Sequence, residues 1–193
     1  AAVLPKGTEF EHQWMKDSKK FNSKTKIKEM SDYIKVNSIA WSIQYIEAEL
    51  IDQINIRQAV HRGMHNAIRD VFTRYPVNSH ETFLLIDGND FRPFSIFNDT
   101  TEELYNIPHE TITGGDNKYT AIAAASILAK VARDEYIHDL CVQYPELDEK
   151  YNLNKNQGYG TKHHLDGILE HGITQWHRKT YGRCKEAELN IIV

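Results

Sequence analysis

A chain of 193 residues with 40% hydrophobic content is long enough to bury one substantial core, and no shift in composition divides it, so a single domain over 1–193 is expected. The formal net charge of -4 excludes a uniformly basic nucleic-acid coat but permits a local basic patch on an acidic body. The two cysteines, Cys141 and Cys184, form no Cys-x-x-Cys pair, and no signal-peptide pattern or membrane-spanning run is seen, so a reducing, cytoplasmic setting is expected.

Ala1-Ala2-Val3-Leu4-Pro5 reads as the end of an apolar strand stopped by a proline. Asp17-Ser18-Lys19-Lys20 is a polar turn. Asn22 or Ser23 then caps a helix whose Ile27, Met30, Tyr33 and Ile34 recur at helical spacing and face the core. Next comes a two-residue alternation, with Ile39, Trp41, Ile43 and Tyr45 pointing one way and Ala40, Ser42 and Gln44 the other. That is the period of a half-buried strand. Residues 47–54 form a short helical turn.

A stronger helix starts near Ile56, with Val60, Gly63, Met64, Ala67, Ile68 and Val71 on one stripe, and Tyr75-Pro76 stops it. Its other face carries Arg57, His61, Arg62, His65 and Arg69. This basic stripe is read as a solvated helix face, with phosphate contact as the alternative. Phe83-Leu84-Leu85-Ile86 is a continuous apolar run suited to a strand buried on both faces. It places Asp87 at the strand's carboxyl end, where open α/β sheets keep their chemistry. Residues 91–108 read mostly as loop.

A short strand near Thr111 leads into the turn Gly114-Gly115-Asp116-Asn117-Lys118 and a long helix. From Ala121 to Ala132 that helix is apolar at every position except Ser126 and Lys130, so it should be covered on all sides and run through the centre of the fold. Arg133, Asp134 and Glu135 follow. Asp134 either marks the helix surfacing into solvent or is a functional carboxylate delivered by a rigid rod. After Tyr144-Pro145 comes the loop Asn154-Lys155-Asn156-Gln157-Gly158-Tyr159-Gly160. Thr161 caps a helix that uses Leu165, Ile168 and Leu169 and stops at Gly172, and Trp176-His177-Arg178-Lys179 with Arg183 adds a late basic cluster.

The turn at 114–118 lacks the Gly-Lys-Ser/Thr of a P-loop, because Lys118 stands between Asn117 and Tyr119, so nucleoside triphosphate binding is rejected. His163, His164, His171 and His177 have no cysteine pair beside them, and zinc is not expected. Asp87 and Asp134 are hard oxygen donors on rigid elements. They suit magnesium or manganese, although two-metal phosphoryl chemistry needs further carboxylates.

Four blocks together resemble the ribonuclease HII family, the type 2 ribonucleases H. They are Leu84-Leu85-Ile86-Asp87-Gly88-Asn89, Gly115-Asp116-Asn117-Lys118-Tyr119, the run IAAASILAKVARD from Ile122 to Asp134, and Gly158-Tyr159-Gly160-Thr161-Lys162-His163-His164. Their order and spacing match, and the likeness extends through Asp17-Ser18-Lys19-Lys20 and His177-Arg178 to cover nearly the whole chain. The resemblance implies an α/β chain of RNase H-like fold, with a mixed central sheet flanked by helices and a C-terminal helical portion. It implies Mg2+- or Mn2+-dependent hydrolysis of the RNA strand of RNA–DNA hybrids, and cleavage at ribonucleotides embedded in duplex DNA, by a monomer with no membrane partner. On it, Asp87 and Asp134 are catalytic metal ligands, Tyr159 stacks near the sugar at the RNA-to-DNA junction, and Lys19, Lys118 and Lys162 help to hold phosphates.

One departure stands against these agreements. The family carries an Asp-Glu pair followed by a Gly-Arg-Gly loop on its first strand, and neither motif occurs upstream of the strand end at Ala1–Pro5. The simplest expectation is an N-terminally truncated enzyme with half of its carboxylate set and without its first strand, showing weak or absent cleavage by itself. A non-catalytic nucleic-acid-binding or scaffold module is the alternative. Retention of both Asp87 and Asp134 favours the enzyme, because a pure binder has no use for carboxylates that repel phosphate.

Overall fold

The computed structural model describes residues 1–15, 18–98 and 102–192, so Asp17 of the expected polar turn lies outside the described residues. In chain order the elements are β1 (Ala2–Val3), α1 (Lys24–Asn37), β2 (Ala40–Trp41), α2 (Ala48–Ile54), α3 (Ile56–Arg74), β3 (Leu84–Asp87), β4 (Ser95–Asn98), β5 (Glu103–Asn106), β6 (His109–Ile112), α4 (Thr120–Gln143), α5 (Glu146–Tyr151), α6 (Leu153–Asn156) and α7 (Lys162–His171). They build two compact units, Ala1–Gln44 with His61–Val131 and Tyr45–Val60 with Ala132–Val193. No helix among the described residues is long and apolar enough to cross a membrane.

In the first unit, α1 begins where its cap predicts, with the Ser23 hydroxyl accepting from the Lys26 N–H. Its Ile27 and Ile34 are buried, together with Phe10 and Met15, against Ala123, Ala124, Ile127, Leu128 and Val131 of α4. Met30 and Tyr33 pack against the same cluster from its edge. Burying Ile127 and Leu128 contributes about 1.5–3 kcal/mol each. The covering of this stretch of α4 is incomplete, since Ala129 is exposed and Ala121 and Ala125 are half-buried. A small methyl on the surface costs little, so alanine lets a nearly uniform apolar run keep one open line.

The mixed sheet implied by the resemblance occurs here as three two-stranded pairs: β1 with β2 antiparallel, β3 with β6 parallel, and β4 with β5 antiparallel. The β4–β5 hairpin corrects the expectation of loop at 91–108. Its alternation is short and its outward Phe97 and Leu104 are exposed, so the pattern did not resemble a buried strand. What anchors it is Phe94 and Ile107, buried with Ile68 of α3 in a second cluster.

The strand expected over 39–45 is also corrected. Only Ala40–Trp41 pairs, and the alternation does not separate two faces: Ala40 and Ser42 are buried, Trp41 and Ile43 pack against the core cluster, and Ile39, Gln44 and Tyr45 are exposed. The reason is polar. The Ser42 hydroxyl donates to Asp70 (2.6 Å), its carbonyl accepts from the Ala1 amino group (2.9 Å), and Arg74 clamps Asp70 while donating to the Trp41 carbonyl (3.0 Å). A hydrogen-bonded serine is a cheap buried group, and satisfaction of these partners outweighs apolarity at positions 39 and 45. The stripe on α3 shifts likewise: Val60 is exposed, while Ala59 is buried and so is His61, which packs edge-on to Phe91 with Nε2 3.4 Å from Asp90. The basic stripe therefore loses one of its members to the interior.

In the second unit, α5, α6 and α7 gather around Leu140, Cys141, Leu147, Tyr151, Leu153, Ile168, Ile173 and Ile192. Leu169, expected in the core, is exposed, and His164 takes an inward place on the same helix.

Candidate functional site

In the first unit, Asp87 ends β3, where it pairs with Ile112, and its side chain is exposed. Phe83, just before the strand, is also exposed, so the run is less enclosed than its apolarity implies. The turn after β6 comes back to the carboxylate: Gly114 takes a left-handed conformation (φ 64°), and the Gly115 N–H donates to Asp87 Oδ1 at 2.8 Å. Only glycine fits there without displacement, since a Cβ on Gly115 would sit 2.5 Å from Ile122 Cδ1 and 3.3 Å from Asp87 Oδ1. Lys118 is exposed, with its ammonium donating to the Thr113 carbonyl (2.9 Å). Lys19 is exposed in the short turn Ser18–Lys20, whose Ser18 hydroxyl bonds Ser126 of α4.

In the second unit, α4 carries Arg133 and Asp134. The Asp134 side chain retains 22% exposure, with the Arg133 Nε 3.7 Å from its Oδ1, longer than a hydrogen bond. Arg133 donates to the Gln157 carbonyl (2.9 Å) and lays its guanidinium 4.5 Å from the centroid of the Tyr159 ring. Tyr159 itself is 60% exposed, a large aromatic surface facing water. Its backbone is fixed from one side by Asn156, whose carbonyl accepts from the Tyr159 N–H and whose amide oxygen accepts from the Gly158 N–H, both at 2.9 Å. Lys162 is the first residue of α7 and is exposed, and Thr161 caps that helix as expected.

Asp87, Lys19 and Lys118 thus belong to one unit, and Asp134, Tyr159 and Lys162 to the other. Each carboxylate is of the oxygen-donor type that suits a hard divalent cation, and magnesium is commonly held by one or two carboxylates, with water and substrate phosphates completing its shell. Among the described residues, no group of three or more His, Cys, Asp or Glu side chains is placed to hold a metal ion. Sequence patterning gave Arg133 no role. A charged residue interposed between an apolar helical run and a candidate carboxylate is a weak signal, and its reach to position 159 is a tertiary fact.

Two of the late histidines also acquire partners. His164 is buried, with Nε2 3.1 Å from His177 Nε2, and the Tyr151 ring packs against both imidazoles. Burial, with His164 beside it, lowers the His177 pKa from 6.5 to about 4, and burial lowers that of His164 as well. The folded chain therefore holds His177 neutral where the unfolded chain takes up a proton. Between about pH 6.5 and pH 4 the unfolded state binds more protons, so stability falls as pH drops through that window and is level above it. At ~1.4 kcal/mol per pKa unit, His177 accounts for a loss on the order of 3 kcal/mol by pH 4. Urea unfolding at about pH 7.5, 5.5 and 4.5 should show this slope in the parent and a shallower one in His177→Gln; parallel slopes would contradict it.

Comparison with known proteins gives one consistent result. The family model described as Ribonuclease HII matches residues 1–184. The chain is 38% identical to the ribonuclease HII of Bacteroides thetaiotaomicron over 191 residues, covering 99% of this chain and 84% of the relative. It is 40% identical to that of Parabacteroides distasonis over 181 residues (94% and 79%) and 37% identical to that of Alkaliphilus metalliredigens over 179 residues (93% and 78%).

Proposed function

The chain belongs to the ribonuclease HII family, type 2 ribonucleases H, and on that premise we propose that it hydrolyses the RNA strand of RNA–DNA hybrids and cuts at ribonucleotides embedded in duplex DNA. Asp87 and Asp134 are the residues we assign to a divalent cation, Mg2+ or Mn2+. An ion held there would supply Lewis-acid chemistry, favouring a water nucleophile and offsetting charge on the leaving 3′ oxygen. The chain's own residues do the rest. Gly115 aims Asp87, Arg133 supports the Tyr159 ring, and Lys19, Lys118 and Lys162 offer exposed ammonium groups to phosphate.

The observation that carries this reading is Asp87: a solvent-facing carboxylate at a strand end, fixed by a backbone N–H from a tight glycine turn in which a Cβ at position 115 would press on Ile122. A carboxylate oriented so firmly toward solvent is arranged for a ligand, because an unengaged surface aspartate needs no such bracing. Tyr159 supplies the test on the substrate side. Its ring is exposed and held in place, which suits stacking on a sugar or base and serves no core. Tyr159→Ala is expected to weaken binding of a ribonucleotide-containing duplex, measured by fluorescence anisotropy in calcium, by about 10- to 100-fold, since stacking of this kind contributes ~1–3 kcal/mol. Unchanged affinity would remove Tyr159 from the substrate surface.

A further inference from the structure

His164, His177 and Thr174 form a hydrogen-bonded chain in which every link has a fixed direction. The Thr174 N–H and hydroxyl both face His177 Nδ1, from 3.1 and 2.9 Å; the N–H can only donate, so that nitrogen carries a lone pair and the hydroxyl, which can turn either way, donates to it as well. In a neutral ring the proton is then on His177 Nε2, which faces His164 Nε2 at 3.1 Å. The His164 Nε2 must accept, and its proton is on Nδ1, 3.0 Å from the Tyr159 carbonyl, an acceptor only. The same carbonyl accepts from the Thr161 N–H at 2.8 Å. One assignment of protons satisfies all three links, and it requires both rings neutral. A metal ion bridging the two Nε2 atoms would put a proton on His177 Nδ1, opposite the Thr174 N–H, so this pair is built as a hydrogen bond.

We propose that His164 and His177 are positioning residues: a neutral imidazole relay that runs from Thr174 to the Tyr159 carbonyl and fixes where the Tyr159 ring is presented. The proposal deepens the substrate role assigned to Tyr159 and rests on it. Two supports converge on that residue. Arg133 holds the ring, and the relay holds the backbone, so the side chain stays exposed without being loose. Tyr151 packs against the relay, with its ring 5.9 Å from that of His164 and 4.8 Å from that of His177 and its hydroxyl donating to the Gly172 carbonyl.

The tautomers are read directly by 15N-edited NMR of the imidazoles at about pH 7.5, with no dependence on activity. The expected spectrum shows a proton on Nδ1 of His164 and on Nε2 of His177, unchanged by added zinc. The opposite tautomers, charged rings, or a zinc-shifted pair would overturn the relay. His164→Asn keeps a donor near the Nδ1 position and His164→Gln does not. On a duplex carrying one ribonucleotide, with binding measured by fluorescence anisotropy in calcium, His164→Gln is expected to raise Kd about tenfold and His164→Asn to stay within about threefold of the parent. Equal affinities for the two variants would overturn the positioning role. If the tautomers are found and Tyr159→Ala leaves binding unchanged, the relay stands and the substrate assignment of Tyr159 fails instead.

Discussion

With the family's Asp-Glu and Gly-Arg-Gly segment supplied ahead of Ala1, replacing Asp87 with asparagine is expected to lower the cleavage rate by about 10³-fold or more while leaving the fold intact. The change removes one negative charge and no volume. Asparagine can still accept the Gly115 N–H through its side-chain oxygen, and the position is exposed, so the stability change should stay within about 1 kcal/mol. A thousandfold is about 4 kcal/mol of transition-state stabilisation, a loss that fits a lost ligand to a cation and exceeds what a surface hydrogen bond contributes. Asp134→Asn should behave in the same way, and binding of an RNA–DNA hybrid in calcium should persist in both variants. Single-turnover cleavage beside thermal unfolding separates the effects. Activity within tenfold of the parent would take the altered residue out of the reaction, and hybrid binding without turnover even when the family's Asp-Glu and Gly-Arg-Gly segment is supplied ahead of Ala1 would favour the non-catalytic alternative.

The second large effect is on stability and lies away from this chemistry. Gly167 sits in α7 where a Cβ would stand 2.2 Å from the Lys150 carbonyl oxygen at the end of α5, and 3.1 Å from the Tyr151 ring. On helix propensity alone, Gly167→Ala should stabilise by about 1 kcal/mol. The clash is with backbone, which cannot rotate aside, and overpacking of this kind costs about 3 kcal/mol or more, so the clash wins. The expected outcome is a Tm lower by about 5–10 °C, at ~2–4 °C per kcal/mol for a chain of this length. A Tm equal to or above that of the parent would show that α5 and α7 are not packed backbone to backbone. Tyr151 at this contact also lines the imidazole pair, so the same substitution should disturb the Tyr159 loop.

The sequence made legible those features whose cause is local. The cap at Ser23, the stop at Tyr75-Pro76, the Thr161 cap and the strand-end place of Asp87 all follow from chemistry within a few residues, and the structure has each of them. Features set by tertiary partners were not legible. Ser42 is buried because Asp70 and Arg74 receive it, and nothing near Ser42 announces that pair. The β4–β5 hairpin is anchored by Phe94 and Ile107 outside its own alternation. Of the site, the resemblance pointed to Asp87, Asp134, Tyr159 and the three lysines, whereas Arg133, the bracing glycine and the His164–His177 pair became visible only as contacts. Histidines read along the chain raise the question of metal; seen with Thr174 and the Tyr159 carbonyl, two of them answer as hydrogen-bonding groups.

The Asp-Glu and Gly-Arg-Gly motifs of the family's first strand are not among these 193 residues, and Asp87 and Asp134 alone make a thin carboxylate set for two-metal chemistry. The most direct measurement therefore uses the protein with such a segment supplied ahead of Ala1, magnesium, and two duplexes alike except for one ribonucleotide. Denaturing gels should show a nick at the ribonucleotide, none in the all-DNA duplex, and none with either asparagine variant. Cleavage of both duplexes alike, or cleavage that survives Asp87→Asn and Asp134→Asn together, would contradict a ribonucleotide-specific hydrolase working through these two carboxylates.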